Sequence, residues 1–260
     1  MKRKREVEKE PEMRSATAEV SVLAQFKPVD HAASDIPTKP FLSVCNLILQ
    51  FLDKVGPTMA VLRQDIHQNI QRLESLYESD PSMYSNMVEI LKKETNEGST
   101  RKLTSCSRAF LWLTRSLDFI VSLLQKLKEE PRMSMEQAVE EAYSLTLKPW
   151  HGWISSAAFK IALKLVPDSE TFANLLMAKD KKNDTLSEEI DSFISRLSPF
   201  LEDIHSILVN SSISFSTTDQ FNESSATENV LFLLETVQVR SLEVCIERDQ
   251  GTKEEQFHKF

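Results

Sequence analysis

Apolar residues recur at helical spacing almost without interruption between residues 40 and 210. The chain contains only four glycines, whereas tight turns and phosphate-binding loops depend on glycine for backbone conformations that other residues avoid. Prolines and short polar segments divide the periodic region into about eight helices. No segment within the region alternates convincingly between apolar and polar residues, as a half-buried strand would. The pattern therefore predicts an all-α fold.

Breaks between the predicted helices coincide with residues that stop or start helices. Gly56-Pro57 separates the first two helices, and Asp80-Pro81-Ser82 is the expected start of the third. Ser134 has the character of an N-cap, because Glu136 and Gln137 follow it in the first helical turn. Lys148-Pro149-Trp150 interrupts the chain between two later helices.

The two ends of the chain differ from this helical region. Residues 1–37 lack helical periodicity and are predicted to be a disordered leader, whereas residues 38–209 form the predicted domain. Residues 210–260 are a poorly defined extension. Within it, residues 211–228 are rich in Ser, Thr and Asn and resemble a linker, and residues 230–247 partly alternate as a strand does.

Charge and cysteine content restrict the class of function. The formal net charge of −8 argues against a nucleic-acid partner, which normally meets a basic surface. Cys45, Cys106 and Cys245 are far apart and form no CxxC pair, so the sequence predicts a reducing compartment, no metal site and no cofactor. The N-terminus is too charged for a secretory signal, and the apolar stretch from Pro40 to Leu52 is too short to span a bilayer. We expect a soluble cytosolic protein.

Two predicted helices carry a row of polar or aromatic side chains beside their buried stripe. On the second helix the row is Asp65, Asn69 and Arg72, and on the fourth it is Ser105, Arg108, Trp112 and Arg115. Such a row is usually a solvated face with an ion pair of modest energetic value. A tryptophan beside a stripe is more often part of the core, and the same holds for His151 in its aromatic surroundings. Spacing alone leaves both interpretations open.

Catalytic motifs are missing from the sequence. It contains no GxSxG, HExxH, GxGxxG or P-loop pattern. Asp65, His151 and Ser155 or Ser156 supply the residue types of a catalytic triad, but their spacing does not support one. The sequence predicts that the protein is not an enzyme.

Three separated motifs occur in order along the chain: D-I-x2-N-I-x-R-L from Asp65, F-L-W-L-x-R from Phe110 and W-H-G-W from Trp150. Together they closely resemble the glycolipid transfer protein family, and the similarity covers about residues 38–209. The resemblance implies a two-layer sandwich of about eight helices that encloses one lipid site. It also implies non-enzymatic transfer of single sphingolipid molecules between membranes, with transient contact at the membrane surface.

The resemblance assigns headgroup roles to five residues. Asp65 and Asn69 match an acid and an amide that bind the first sugar and the ceramide amide. Arg72 matches a basic residue that reaches sugar hydroxyls, where relatives usually have lysine. Trp112 matches a tryptophan that stacks on the sugar ring, and His151 matches a histidine that bonds the amide carbonyl. Such groups suit a neutral sugar, since carboxylate, amide and indole offer hydrogen bonds and a flat apolar face.

Two further residues correspond to the lipid chains and the membrane. Phe159 matches a phenylalanine that lines the acyl-chain pocket, and Trp153 matches a tryptophan at the membrane-facing surface, although a helix-packing role would suit Trp153 equally. At about 0.8 kcal/mol per CH₂, a chain of about sixteen carbons costs on the order of 13 kcal/mol to expose to water. A carrier therefore needs an apolar sleeve that opens between its helices.

The choice of headgroup depends on three positions. In the sister branch of the family, which includes the accelerated-cell-death and ceramide-1-phosphate transfer proteins, basic residues stand at the positions of Asn69, Arg108 and Trp112. This chain has only Arg108 of that set, so glycosylceramide is the favoured ligand. Arg108 keeps ceramide-1-phosphate or another anionic sphingolipid as the alternative. A lipid sensor or adaptor that uses the same pocket, and a scaffold that has lost lipid binding, are the remaining hypotheses.

Overall fold

The computed structural model describes residues 35–56, 59–176 and 183–210. Eight α-helices form in these ranges, with a short 3-10 helix (Lys148–Trp150) between the fifth and sixth. The helices are α1 (Thr38–Val55), α2 (Ala60–Ser79), α3 (Met87–Asn96), α4 (Cys106–Glu129), α5 (Met135–Thr146), α6 (Trp153–Leu163), α7 (Ser169–Leu176) and α8 (Asn183–Asn210). No β-strand occurs in these ranges, so the all-α prediction is confirmed. The predicted leader and C-terminal extension lie outside the described residues, except for residues 35–37 and 210.

Helix α4 is the centre of the two-layer helical sandwich. It packs against α2, α3, α5 and α8, while α1 packs against α2 and α7. The ring of Phe41 on α1 lies 4.8 Å from Phe110 on α4 and 6.5 Å from Phe200 on α8, between ring centroids. All three rings are fully buried, and burial of each contributes about 1.5–3 kcal/mol to stability. These aromatic contacts join both ends of the domain to its central helix.

The start of α3 differs from the sequence prediction. Asp80-Pro81-Ser82 does not begin the helix, because Asp80 Oδ1 accepts hydrogen bonds from the backbone N–H groups of Ser82 and Met83 and holds a turn. The helix begins at Met87 instead, where Asn86 Oδ1 caps it by accepting from the N–H of Val88. The predicted cap at Ser134 is confirmed as a complete capping box with Gln137.

A carboxylate from α3 holds the beginning of α4. Glu94 accepts hydrogen bonds from the backbone N–H groups of Cys106 and Ser107 and from Ser105 Oγ, each at 2.8 Å. The first N–H groups of a helix have no partner within it, and a negative charge there is also favoured by the helix dipole. Glu94 thereby fixes the end of the helix that carries Arg108 and Trp112.

Candidate functional site

A cavity of about 280 Å³ lies between α1, α2, α4, α5, α6 and α7. Its lining is mostly aliphatic and aromatic. The exceptions are a few polar or amphipathic side chains, namely Asp65, Trp112, Ser116, His151 and Ser155. Phe159 also lines the cavity. Four of the residues singled out in the sequence, Asp65, Trp112, His151 and Phe159, therefore meet in one apolar cavity.

The polar row of α2 is connected by hydrogen bonds beside this cavity. Asn69 is buried, with 9% of its surface exposed. Its Nδ2 donates to the backbone oxygen of Asp65 at 3.1 Å, and its Oδ1 accepts from Arg72 Nη1 at 3.3 Å. Asn69 thus links the side chain of the half-buried Arg72 to the backbone of Asp65 one turn earlier. This row is not an open solvated face.

Asp65 has an unusual electrostatic environment. Burial against the apolar lining raises the pKa of its carboxyl group to about 6, and the positive charges of Arg72 and Arg108 oppose the rise. Arg108 on α4 is therefore close enough to Asp65 on α2 to act on it through space. The structure brings Asp65, Asn69, Arg72 and Arg108 together at the α2–α4 interface, although only Asp65 of these lines the cavity.

Trp112 is held by an arginine that stacks between two indoles. The Arg115 Cζ lies 4.9 Å from the ring centroid of Trp112 and 3.9 Å from that of Trp150. Arg115 is buried, and burial lowers its pKa to about 10, so the guanidinium remains charged at neutral pH. This cation–π arrangement fixes the plane of Trp112 relative to the 3-10 helix. The sequence places Arg115 in the polar row but gives no sign of its pairing with Trp150.

His151 is held by residues from α4 and α5, and α6 supports it through Tyr143. Its ring centroid lies 5.5 Å from that of Trp112, and its Nδ1 lies 3.2 Å from the hydroxyl of Tyr143. The same hydroxyl lies 3.3 Å from Ser156 Oγ, and the Tyr143 ring stacks on Phe159 at 3.5 Å between centroids. Burial lowers the pKa of His151 to about 4, and Arg115 adds to this effect, so the imidazole is neutral at pH 7. Sequence reasoning missed Tyr143, because its place in the apolar stripe of α5 marks it only as core.

The α5–α6 connection presents large apolar side chains to solvent. Trp153, the first residue of α6, is 72% exposed, and Leu145 near the end of α5 is 66% exposed. Ile154 is the single buried residue of α6. The structure therefore places Trp153 on the surface rather than in a helix-packing contact in the core.

Metal sites and membrane spans are not found in the described part of the chain. Residues 35–56, 59–176 and 183–210 contain no group of three or more His, Cys, Asp or Glu that could hold a metal ion. None of the helices in those ranges is long and apolar enough to cross a bilayer. Burial raises the pKa of both described cysteine thiols, Cys45 and Cys106, which disfavours thiolate chemistry.

Comparison with known proteins decides the family. The model of the glycolipid transfer protein family matches residues 36–178, which is more than half of the chain. The chain belongs to the glycolipid transfer protein family. Glycolipid transfer protein 3 of Arabidopsis thaliana is 56% identical over 222 residues, which cover 80% of this chain and 95% of that protein.

Solved structures agree with this family on the fold. A structure that addresses how FAPP2 selects simple glycosphingolipids with the glycolipid transfer protein fold gives a TM-score of 0.67 at 24% identity, and covers 77% of this chain and 97% of that one. Mouse ceramide-1-phosphate transfer protein, in its apo form, gives a TM-score of 0.68 at 18% identity, and covers 75% and 97%. The glycolipid transfer protein fold is thereby confirmed, and the family consists of lipid transfer proteins.

Proposed function

We propose that this member of the glycolipid transfer protein family carries single glycosylceramide molecules between membranes. The proposal rests on one observation. A single cavity combines an apolar lining with Asp65, Trp112 and His151. The apolar lining, which includes Phe159, suits an acyl chain, and the polar groups suit the amide and sugar at its end. The 54–56% identity to two Arabidopsis glycolipid transfer proteins supports the same choice of ligand.

Headgroup recognition uses five residues. The Asp65 carboxylate accepts hydrogen bonds from the ceramide N–H and a sugar hydroxyl, and the Asn69 amide and the Arg72 guanidinium bind further sugar oxygens. The indole of Trp112, held by Arg115, supports the apolar face of the sugar ring. Neutral His151 bonds the amide carbonyl. Among these five residues the charges of Asp65 and Arg72 balance, which suits a neutral glycosylated amide.

Transfer of this kind needs no covalent step. The triad considered from the sequence is poorly supported by the geometry, because His151 Nδ1 faces Tyr143 and Ser156 Oγ also faces Tyr143. With a pKa of about 4, His151 is also a weak general base at neutral pH. We expect purified protein to leave glucosylceramide chemically intact.

The cavity must widen to receive lipid chains. Its volume of about 280 Å³ lies just below the range of about 300–1,000 Å³ that is typical of ligand pockets. Helix α6 is the wall that is held most weakly, since Ile154 is its single buried residue. Outward movement of α6 therefore opens the sleeve at the lowest cost in buried contacts.

Membrane contact takes place through the exposed connection between α5 and α6. Trp153 and Leu145 would enter the headgroup region of a cytosolic membrane leaflet, where amphipathic aromatic rings are favoured. A Trp153→Ala variant should slow intervesicle transfer while it leaves equilibrium binding of a short-chain, water-dispersed glucosylceramide unchanged. Equal loss in both assays would contradict a membrane role for Trp153.

An anionic sphingolipid is the second candidate. Arg72 and Arg108 both act on the Asp65 carboxyl group, so two guanidinium groups lie within electrostatic range of the proposed headgroup site. A phosphate such as that of ceramide-1-phosphate would pair with them. Asn69 and Trp112 provide no positive charge, and for that reason the neutral sugar is preferred.

Vesicle-to-vesicle transfer of fluorescent glucosylceramide and ceramide-1-phosphate tests the proposal. We expect transfer of glucosylceramide, its loss in Asp65→Val and Trp112→Ala, and unchanged transfer in Glu78→Gln, which alters an exposed carboxylate on α2. Transfer of ceramide-1-phosphate alone would overturn the choice of ligand and favour Arg72 and Arg108 as main contacts. Transfer of neither lipid would contradict the carrier function itself.

A further inference from the structure

We infer that Tyr143 is a positioning residue that sets the tautomer of His151 and so makes its other ring nitrogen a hydrogen-bond donor to the lipid amide. The phenol O–H donates to His151 Nδ1, and the imidazole proton is then on Nε2. The ligand in this inference rests on the proposed function. The choice of tautomer rests on it too, and the His151 ring in lipid-free protein tests that choice directly.

The position of Tyr143 is fixed independently of any ligand. Its side chain is only 4% exposed, and its ring lies parallel to that of Phe159, with an interplanar angle of 6°. The hydroxyl lies 3.2 Å from His151 Nδ1 and 3.3 Å from Ser156 Oγ. A buried ring with this packing has little rotational freedom, so the hydroxyl serves as a fixed partner for one imidazole nitrogen.

The hydrogen bonds among Ser156, Tyr143 and His151 can run in either of two directions, which we call the first and the second order. In the first, Ser156 donates to the Tyr143 oxygen, Tyr143 donates to Nδ1, and His151 carries its proton on Nε2. In the second, Nδ1–H donates to Tyr143, Tyr143 donates to Ser156, and Nε2 is a bare acceptor. Because His151 is neutral at pH 7, it holds one ring proton, and only one of these orders exists at a time.

A lipid amide bound beside Asp65 would require the first order. Ionised Asp65 lines the same cavity and is an acceptor only. A secondary amide presents one donor and one acceptor, so a site that binds both needs an acceptor and a donor. With Asp65 as the acceptor, we assign the donor to His151 Nε2–H, in keeping with the proposed role of His151 as the partner of the amide carbonyl. The second order would place two acceptors around the amide and leave its carbonyl without a partner, which is unfavourable in a dry cavity.

The Tyr143→Phe variant tests the inference because it retains the ring that stacks on Phe159 and removes only the hydroxyl. Its matched control is Tyr84→Phe, another buried tyrosine, whose hydroxyl bonds Lys93 on α3, away from the cavity lining. In lipid-free protein, ¹⁵N chemical shifts of the His151 ring should show a protonated Nε2 and a bare Nδ1. Tyr143→Phe should yield a mixture of tautomers, and Tyr84→Phe should leave the spectrum unchanged. A proton on Nδ1 in the wild type, or no change in Tyr143→Phe, would overturn the inference.

A pair of lipids separates positioning from packing. Glucosylceramide has the amide carbonyl, whereas glucosylsphingosine has a free amine in its place. Tyr143→Phe should weaken glucosylceramide binding roughly three- to tenfold, in line with the loss of one well-oriented hydrogen bond, and should change glucosylsphingosine binding little. Equal weakening for both lipids would mean that Tyr143 acts through packing, against the inference. Failure of the wild type to bind glucosylceramide would instead refute the proposed function, while the ring spectra would still decide the tautomer.

Discussion

Asp65 provides the candidate site with a charged acceptor, but burial of that charge opposes folding. Its carboxyl group has a pKa of about 6 in the folded protein, against an ordinary value of 3.8, because it is half-buried beside apolar side chains. The folded state therefore holds an extra proton between about pH 3.8 and pH 6. This contribution favours the folded state at low pH and is lost as the pH rises through that window. At neutral pH the ionised Asp65 carboxylate therefore lowers the free energy of unfolding of the lipid-free protein.

The Asp65→Asn variant should remove this destabilisation, because an amide carries no charge at neutral pH. We expect the free energy of unfolding at pH 7 to rise by about 1–2 kcal/mol, which is less than the full shift in pKa would give because the side chain is only half-buried. At pH 4 the gain should almost vanish. Urea unfolding at the two pH values measures the difference, with Glu78→Gln as the control. Lower stability of Asp65→Asn at pH 7 would contradict the electrostatic explanation.

Arg115 extends the site beyond the residues that would touch lipid. Its guanidinium stacks on both Trp112 and Trp150, and a lysine ammonium has no planar face with which to do so. We expect Arg115→Lys to weaken glucosylceramide binding about two- to tenfold, in line with cation–π energies of about 0.5–1 kcal/mol or somewhat more. Affinity for ceramide without a sugar should change less, and equal loss for the two lipids in an equilibrium binding assay would argue against this role.

Helix α4 depends on a neighbouring helix for its position. Glu94 of α3 satisfies two backbone N–H groups at the start of α4 and bonds its N-cap, Ser105. Glu94→Ala should lower the free energy of unfolding by about 2–3 kcal/mol, since it leaves donors at a partly buried helix terminus without a charged partner. Thermal unfolding measures this loss, and Glu78→Ala should fall within about 0.5 kcal/mol of the wild type. If Glu94→Ala also changed the free energy of unfolding by no more than about 0.5 kcal/mol, the prediction would be wrong, and water would be replacing the carboxylate.

The helices could be predicted from the sequence more fully than their ends. Long apolar stripes indicate α4 and α8 clearly, because each buries one face over most of its described length. The predicted start of α3 was wrong, because an Asp-Pro-Ser segment suits a turn as well as a helix N-terminus. Asn86 determines where α3 begins. It caps α3 and also accepts a hydrogen bond from the backbone N–H of Ile36, fifty residues earlier. A contact of that kind leaves no local pattern in the sequence.

For the molecule as a whole, the sequence indicated the site through helix spacing and resemblance, and the structure joined its parts. The row of Asp65, Asn69 and Arg72 follows from a helical period of 3.6 residues. The supporting contacts of Tyr143 with His151, and of Arg115 with Trp150, join segments whose spacing follows no helical rule. Their partners are set by how α4, α5 and α6 pack, so sequence periodicity could not predict them.

A crystal structure of the protein with bound glucosylceramide is the decisive measurement. We predict one lipid per chain, with its sugar ring on the indole of Trp112, its amide between Asp65 and His151 Nε2, and an acyl chain in the cavity beside Phe159. Such a complex would also show α6 moved outward relative to its position here. A lipid bound outside the cavity, or a sugar ring away from Trp112 with Asp65 free of the amide, would contradict the proposed carrier mechanism.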